Sequence, residues 1–159
     1  MHPNVMHPNV AAVQEALSLA DARGRIRMLP DAVHTAAAAA AALGVDVGQI
    51  ANSLIFDADG EPLLVLTSGA HRVDTARIAA LVGATAVRKA TPEFVREHTG
   101  QAIGGVAPLG HPKPIRTLVD AALAPFDEVW AAGGIPHAVF PTTFDELVRV
   151  TAGSPAEVA

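Results

Sequence analysis

Two stretches of this chain combine residue types that can act on a small ligand at close range. Ile103–Gly110 reads Ile-Gly-Gly-Val-Ala-Pro-Leu-Gly, two glycines and a proline inside an apolar run. Gly104 and Gly105 let the main chain approach a ligand closely, and Pro108 sets the far side of the bend. Such a loop either offers bare N–H groups to a carbonyl or hydroxyl, or is an ordinary turn between strands. The second stretch is Ile50–Phe56, Ile-Ala-Asn-Ser-Leu-Ile-Phe. Read as a strand, it puts Ile50, Asn52, Leu54 and Phe56 on one side and Ala51, Ser53 and Ile55 on the other. Asn52 is the polar member of an apolar row. A buried amide needs partners, so it either braces a neighbouring loop or points into a polar cavity.

Other chemistries find less support. Ser53, Ser68 and Ser154 lack a G-x-S-x-G elbow. The seven histidines show no HExxH or paired ligand spacing, and His2 and His7 precede prolines with no carboxylate nearby. Gly104-Gly105 precedes no Lys-Ser or Lys-Thr pair, which argues against a phosphate loop. No metal and no cofactor is expected. The chain has no cysteine, which excludes a disulfide frame and a thiol nucleophile and suits a reducing compartment.

The elements that must position these residues follow from periodicity and caps. Val13, Ala16, Leu17 and Ala20 recur at helical spacing, predicting a helix over Ala11–Arg23 with Gly24 as its stop. Arg25–Met28 alternates as a short edge strand. Thr35 caps an alanine-rich helix that Gly44 ends. Ile50–Phe56 and Leu63–Thr67 form a hairpin across Asp59-Gly60. Asp74 caps Thr75–Val82, Ala84–Arg88 is a short strand, and Thr91-Pro92 opens a helix closed by Gly100. Ile115–Val119, Glu128–Ala131 and His137–Phe140 read as strands, with Gly133-Gly134 turning the chain between the last two. Thr143 and Glu146 form a capping box for Phe144–Val150. The whole is α+β, with a mixed, curved sheet.

The length, 159 residues with 50% hydrophobic and 4% aromatic, fits one domain with an aliphatic core. Met1–Val5 is repeated as Met6–Val10, so residues 1–10 are expected to be a duplicated, disordered N-terminal segment and residues 153–159 a frayed tail. The formal charge of −5 argues against a broad grip on phosphate backbones and against DNA as a partner. One Trp, no Tyr and few Phe leave little for base stacking. No run is long enough to cross a bilayer, so the expected location is cytoplasmic.

Gly48–Phe56, Leu64–Gly69, Gly104–Pro108 and His137–Thr142, taken together, resemble the YbaK/ProX family of aminoacyl-tRNA deacylases, the prolyl-tRNA synthetase-associated editing domain. The resemblance spans roughly Thr35–Val150, and residues 11–152 are assigned to it. It implies a barrel-like central sheet with peripheral helices and a pocket at one end. Gly104–Pro108 matches the family's GxxxP loop, and the family's catalytic lysine falls at Asn52. By that likeness Asn52, Gly104 and Gly105 are the expected catalytic positions, their donors facing the oxyanion of an ester. Ser53, Val106, Ala107, Pro108, Ala132, Gly133 and His137 are the expected substrate-binding positions. Lys113, His71, Arg72 and His137 are candidates for a relocated positive charge. The implied function is trans-editing: hydrolysis of the ester of a small mischarged amino acid on tRNA. The acylated 3′ end of tRNA is the expected partner, with an aminoacyl-tRNA synthetase a second one. The alternative is a noncatalytic aminoacyl- or nucleoside-binding module that keeps the pocket without turnover because Asn52 replaces the lysine.

Overall fold

The computed structural model describes residues 7–159. Eight strands form one mixed sheet, β1 (Arg27–Met28), β2 (Ile50–Ala58), β3 (Glu61–Ser68), β4 (Val87–Lys89), β5 (Arg116–Asp120), β6 (Val129–Ala132), β7 (Ala138–Thr142) and β8 (Ser154–Ala156). The helices are α1 (Pro8–Leu19), α2 (Ala36–Leu43), α3 (Thr75–Val82), α4 (Pro92–Thr99) and α5 (Phe144–Thr151). The sheet runs β1-β7-β6-β2-β3-β5-β8, with β4 attached to β2. Its two ends, β1 and β8, do not pair, so the curved sheet stays open where the resemblance implied near-closure to a barrel.

The hairpin of β2 and β3 is the backbone of the sheet. Phe56 pairs with Leu63, Leu54 with Val65 and Asn52 with Thr67. Alternation then sends Phe56, Leu63 and Val65 into one apolar cluster, and Ala51, Ile55, Leu64 and Leu66 into the larger one on the other face. On its second edge β2 has two short neighbours. Parallel β6 pairs at Ile50 and Ala51, and antiparallel β4 pairs at Phe56, Asp57 and Ala58. Between them Asn52–Ile55 have a strand partner on one side only. The position of β4 is held from the hairpin corner. There Asp59, at φ +53°, accepts the N–H groups of Thr85 (2.7 Å) and Ala86 (3.0 Å), and these bonds keep its carboxyl below the ordinary aspartate range.

Four helices are capped as the sequence predicts. Thr35 accepts the Ala38 N–H, Asp74 those of Ala76 and Arg77, Thr91 that of Phe94 and Thr143 that of Glu146. Gly44, Gly83 and Gly100 end α2, α3 and α4 in the left-handed region. The capping box at α5 is only half made. The Glu146 carboxylate turns instead to Thr142 Oγ1 (2.7 Å) and the Arg23 N–H (3.0 Å).

Both termini depart from expectation. Residues 1–6 lie outside the described residues, but the second copy of the repeat enters α1: His7 Nδ1 accepts the Asn9 N–H, and Val10 is fully buried. Helix α1 therefore starts three residues earlier than periodicity suggested and stops near Ala20, before Gly24. The C-terminal segment is not frayed. β8 pairs in parallel with β5, and Val158 is fully buried beside Ile78 and Leu118. The signal was weak because Gly153-Ser154-Pro155 reads as a breaker, whereas Pro is tolerated on an edge strand.

Candidate functional site

The one-sided stretch of β2 is where the surface opens. A narrow recess of about 50 Å³ runs inward from it, walled by Val33, Ala39, Ile50, Ile135, Pro136 and Val139. A wider groove of about 590 Å³ runs outward along Leu54, Phe56, Arg72, Val73, Lys89 and Ile103. His34, Thr35, Ala36, Asn52, Ser53, Gly104 and Val106 border both, so they form the threshold between them. Asn52 is half-buried there, and its amide makes no hydrogen bond to another described residue. It does not brace a loop.

Opposite Asn52, the chain between α4 and β5 is pinned so that one short piece of main chain is left free. Ala107 is held from both sides, its N–H by Gln101 Oε1 and its carbonyl by His111 Nε2, each at 2.8 Å. The buried Gln101 is in turn fixed by Thr99, whose hydroxyl accepts the Gln101 N–H at 2.9 Å. Burial pushes the His111 pKa below the ordinary histidine value, which keeps the ring neutral with Nε2–H donating to Ala107. Just before this anchor the two glycines differ. Gly104, at φ +93°, has its Cα against His34: an added Cβ would sit 3.3 Å from His34 Nδ1. Gly105 is packed on Ile135, where a Cβ would lie 2.8 Å from backbone, and its N–H already bonds to Ala102 O at 3.0 Å. Between Gly104 and Ala107, the N–H groups left without a partner among the described residues are those of Gly104 and Val106. The expectation that Gly104 and Gly105 both present free donors is thus corrected to Gly104 and Val106.

The expected binding positions separate into two groups. Ser53, Val106 and Ala132 line the recess. Ala107 and Pro108 are buried behind it as the loop's anchor, and Pro108 faces a different cavity shared with Lys113 and His111. Gly133 is packed against Ile26 and Ala138 and closes a turn with its N–H on Ala138 O. His137 contributes its carbonyl to the Leu29 N–H and does not border the cleft. Among the charge candidates, Arg72 reaches the groove, whereas His71 is bonded to the buried Asp120 at 3.0 Å and Lys113 lies elsewhere. Lys89, His34, Thr35 and Trp130 were missed. Lys89 was detectable in principle, since its pairing with Phe56 puts it on the Asn52 face of β2, but the β2–β4 register is not written in either strand.

Two buried side-chain polar atoms have no partner among the described residues, Ser53 Oγ and Trp130 Nε1, and both residues line the recess. Native interiors leave few such groups unpaired. Unpaired polar atoms, an apolar recess and a wider groove with two cations thus meet along one stretch of β2.

The chain belongs to the aminoacyl-tRNA editing domain family, whose model matches residues 30–150. A solved structure described as a candidate trans-editing enzyme for prolyl tRNA synthetase superposes with a TM-score of 0.90 at 42% identity, covering 97% of this chain and 98% of that one. The proline--tRNA ligase of Nitratidesulfovibrio vulgaris (strain DP4) is 34% identical over 100 residues, 63% of this chain but 17% of that enzyme. The chain therefore corresponds to a small part of the synthetase. The uncharacterized protein YwhH of Bacillus subtilis (strain 168) is 33% identical over 110 residues, 69% of each chain. Among the described residues no helix is long and apolar enough to cross a membrane.

Proposed function

We propose that this chain is a deacylase that hydrolyses the ester between a small, wrongly attached amino acid and the 3′ end of tRNA. The observation that carries the proposal is the meeting of recess and groove at Asn52, opposite the unbonded N–H groups of Gly104 and Val106. The amino-acid side chain enters the recess, the ester lies on the threshold, and the terminal nucleotide occupies the groove with its phosphate near Arg72 and Lys89. Water adds to the acyl carbon, the carbonyl oxygen gathers negative charge, and the bond to the ribose oxygen breaks as that oxygen takes a proton. Donors already aimed at the developing oxyanion lower the barrier without reorganising. Asn52 contributes a neutral donor where the family resemblance implies a lysine. A neutral hydrogen bond has roughly half the strength of a charge-assisted one, so turnover is slower than with an ammonium group.

The recess selects by exclusion, because apolar walls of Val, Ala and Ile leave room for few atoms. A synthetase is a further proposed partner, from the likeness to part of the proline--tRNA ligases. The test is release of amino acid from a panel of mischarged tRNAs. Release above the buffer rate for small amino acids supports the proposal, and none for any refutes it. A second reading rests on the absence of charge at Asn52: the cleft binds an aminoacyl-adenosine group without turning it over. A nonhydrolysable analogue that raises Tm, with no hydrolysis of the real ester, selects that reading.

A further inference from the structure

Hydrolysis of an ester needs a group that takes a proton from water and a group that gives one to the leaving oxygen. Asn52 and the free N–H groups of Gly104 and Val106 polarise a carbonyl, but none of them exchanges a proton near neutral pH. Among the described residues lining the recess and the groove, only His34, Arg72 and Lys89 have titratable side chains, and no carboxylate is present. Arg72 and Lys89 line the groove and not the recess. His34 borders both cavities at their threshold, where it is exposed.

The main chain on either side of His34 is fixed. The Val33 N–H donates to the Pro136 carbonyl at 2.8 Å, and Thr35 caps α2 by accepting the Ala38 N–H at 3.1 Å. The imidazole itself has no hydrogen-bond or ion-pair partner among the described residues. It lies against Gly104, where an added Cβ would stand 3.3 Å from Nδ1 and 3.6 Å from the His34 carbonyl oxygen. Nδ1 is therefore the ring nitrogen beside the donor loop, and the missing side chain of Gly104 keeps the space between them open. Its own segment carries one other charged side chain, Asp31. Around it β2 brings Asn52 and Ser53, α2 brings Ala36, and the turn at Ile135 and Pro136 is uncharged.

Resting on the deacylase reading, we infer that His34 is the catalytic acid–base residue of this cleft. In the tautomer with its hydrogen on Nε2, Nδ1 holds a lone pair. As water adds to the acyl carbon, Nδ1 takes its proton while Asn52 and the loop N–H groups hold the oxyanion. The imidazolium then gives that proton to the ribose oxygen as the bond to the acyl carbon breaks. A carboxylic acid, a ribose hydroxyl and a neutral ring remain.

The test follows single-turnover release from tRNAs carrying glycine, alanine or serine by the full chain, His34→Gln and His34→Ala. The side chain is exposed and unbonded, so Tm should be the same for all three proteins. Each variant is expected to lose about 100-fold or more in rate, the usual contribution of a general acid–base group. Added imidazole should restore part of the rate to His34→Ala, beyond what it gives with tRNA alone, and leave the full chain unchanged. The full chain's rate should rise with pH and level off within about pH 5 to 8, where histidine loses its proton, whereas His34→Gln should follow hydroxide alone. Variants within about threefold of the full chain, or slower variants that keep its pH profile, overturn the inference and leave the deacylase reading standing. Release of none of the three amino acids by the full chain removes that reading and the role of His34 with it.

Discussion

The recess and the groove are built from the same strand, yet they differ in size and charge. The recess lies where β2 borders β6 and α2, and its walls are mostly aliphatic side chains with Trp130 among them. The groove lies toward β4, about twelve times larger in volume, and carries the cations Arg72 and Lys89. Both exist because β6 and β4 are too short to meet along β2, leaving Asn52–Ile55 between them. The lesson is that a gap in strand pairing can join two unlike cavities; in the proposed function one sets which acyl group fits and the other which carrier brings it.

The comparison breaks most completely at the junction. Gly104→Val places a β-branched residue at φ +93° against His34, displacing the loop's free N–H groups. Loss of one oxyanion donor costs about 100- to 1,000-fold in rate, so deacylation should fall by at least about 100-fold with circular dichroism little changed. Gly105→Ala behaves differently. Its Cβ would strike the Ile135 backbone, and the expected result is a lower Tm, about 1–3 kcal/mol of overpacking.

On the recess side, Ile135→Ala removes wall. Release of valine from valyl-tRNA should then rise about tenfold relative to the small amino acids, since a methylene or two is worth 1–3 kcal/mol in such pockets. On the groove side, Arg72→Gln with Lys89→Gln should raise KM several-fold and leave kcat nearly unchanged. The slope of log affinity against log salt should drop by about 0.7 for the one single-strand phosphate that the two cations share. If the double variant changes kcat alone, the charges belong to the junction and the division into two subsites fails.

The smallest effect concerns the anchor behind the loop. The folded pKa of His111 is depressed, so the unfolded chain binds the proton first as pH falls below about 6.5. Stability is complete above that value and declines through the window between the unfolded and folded pKa values. Thermal melts of the full chain should show this loss as the pH is lowered from 7, and His111→Gln, which has nothing to titrate, should show less of it.

Much of this arrangement was legible in the sequence where local chemistry decides. Caps such as Thr35, Asp74 and Thr91, and stops such as Gly44 and Gly100, act within a few residues and read directly. The Asp59-Gly60 hairpin set Asn52 in an apolar row, and the GxxxP likeness put Gly104 near it. What failed was long-range. The different fates of Gly104 and Gly105 depend on His34 and Ile135, which are far away in the chain. Trp130, a lone aromatic in a short strand, gave no sign that its N–H would be buried unpaired. Ser154–Ala156 reads as a tail until the edge of β5 is there to receive it.

The most direct measurement is the rate of deacylation of a small mischarged aminoacyl-tRNA by the full chain, Asn52→Ala and Asn52→Lys under single-turnover conditions. If Asn52 donates to the oxyanion opposite the Gly104 loop, alanine lowers the rate about five- to tenfold. Lysine raises it by a similar factor, the difference between a neutral and a charge-assisted bond being about 1 kcal/mol. Equal rates for all three proteins would contradict the account, because the amide at the junction of recess and groove would then play no part in the chemistry.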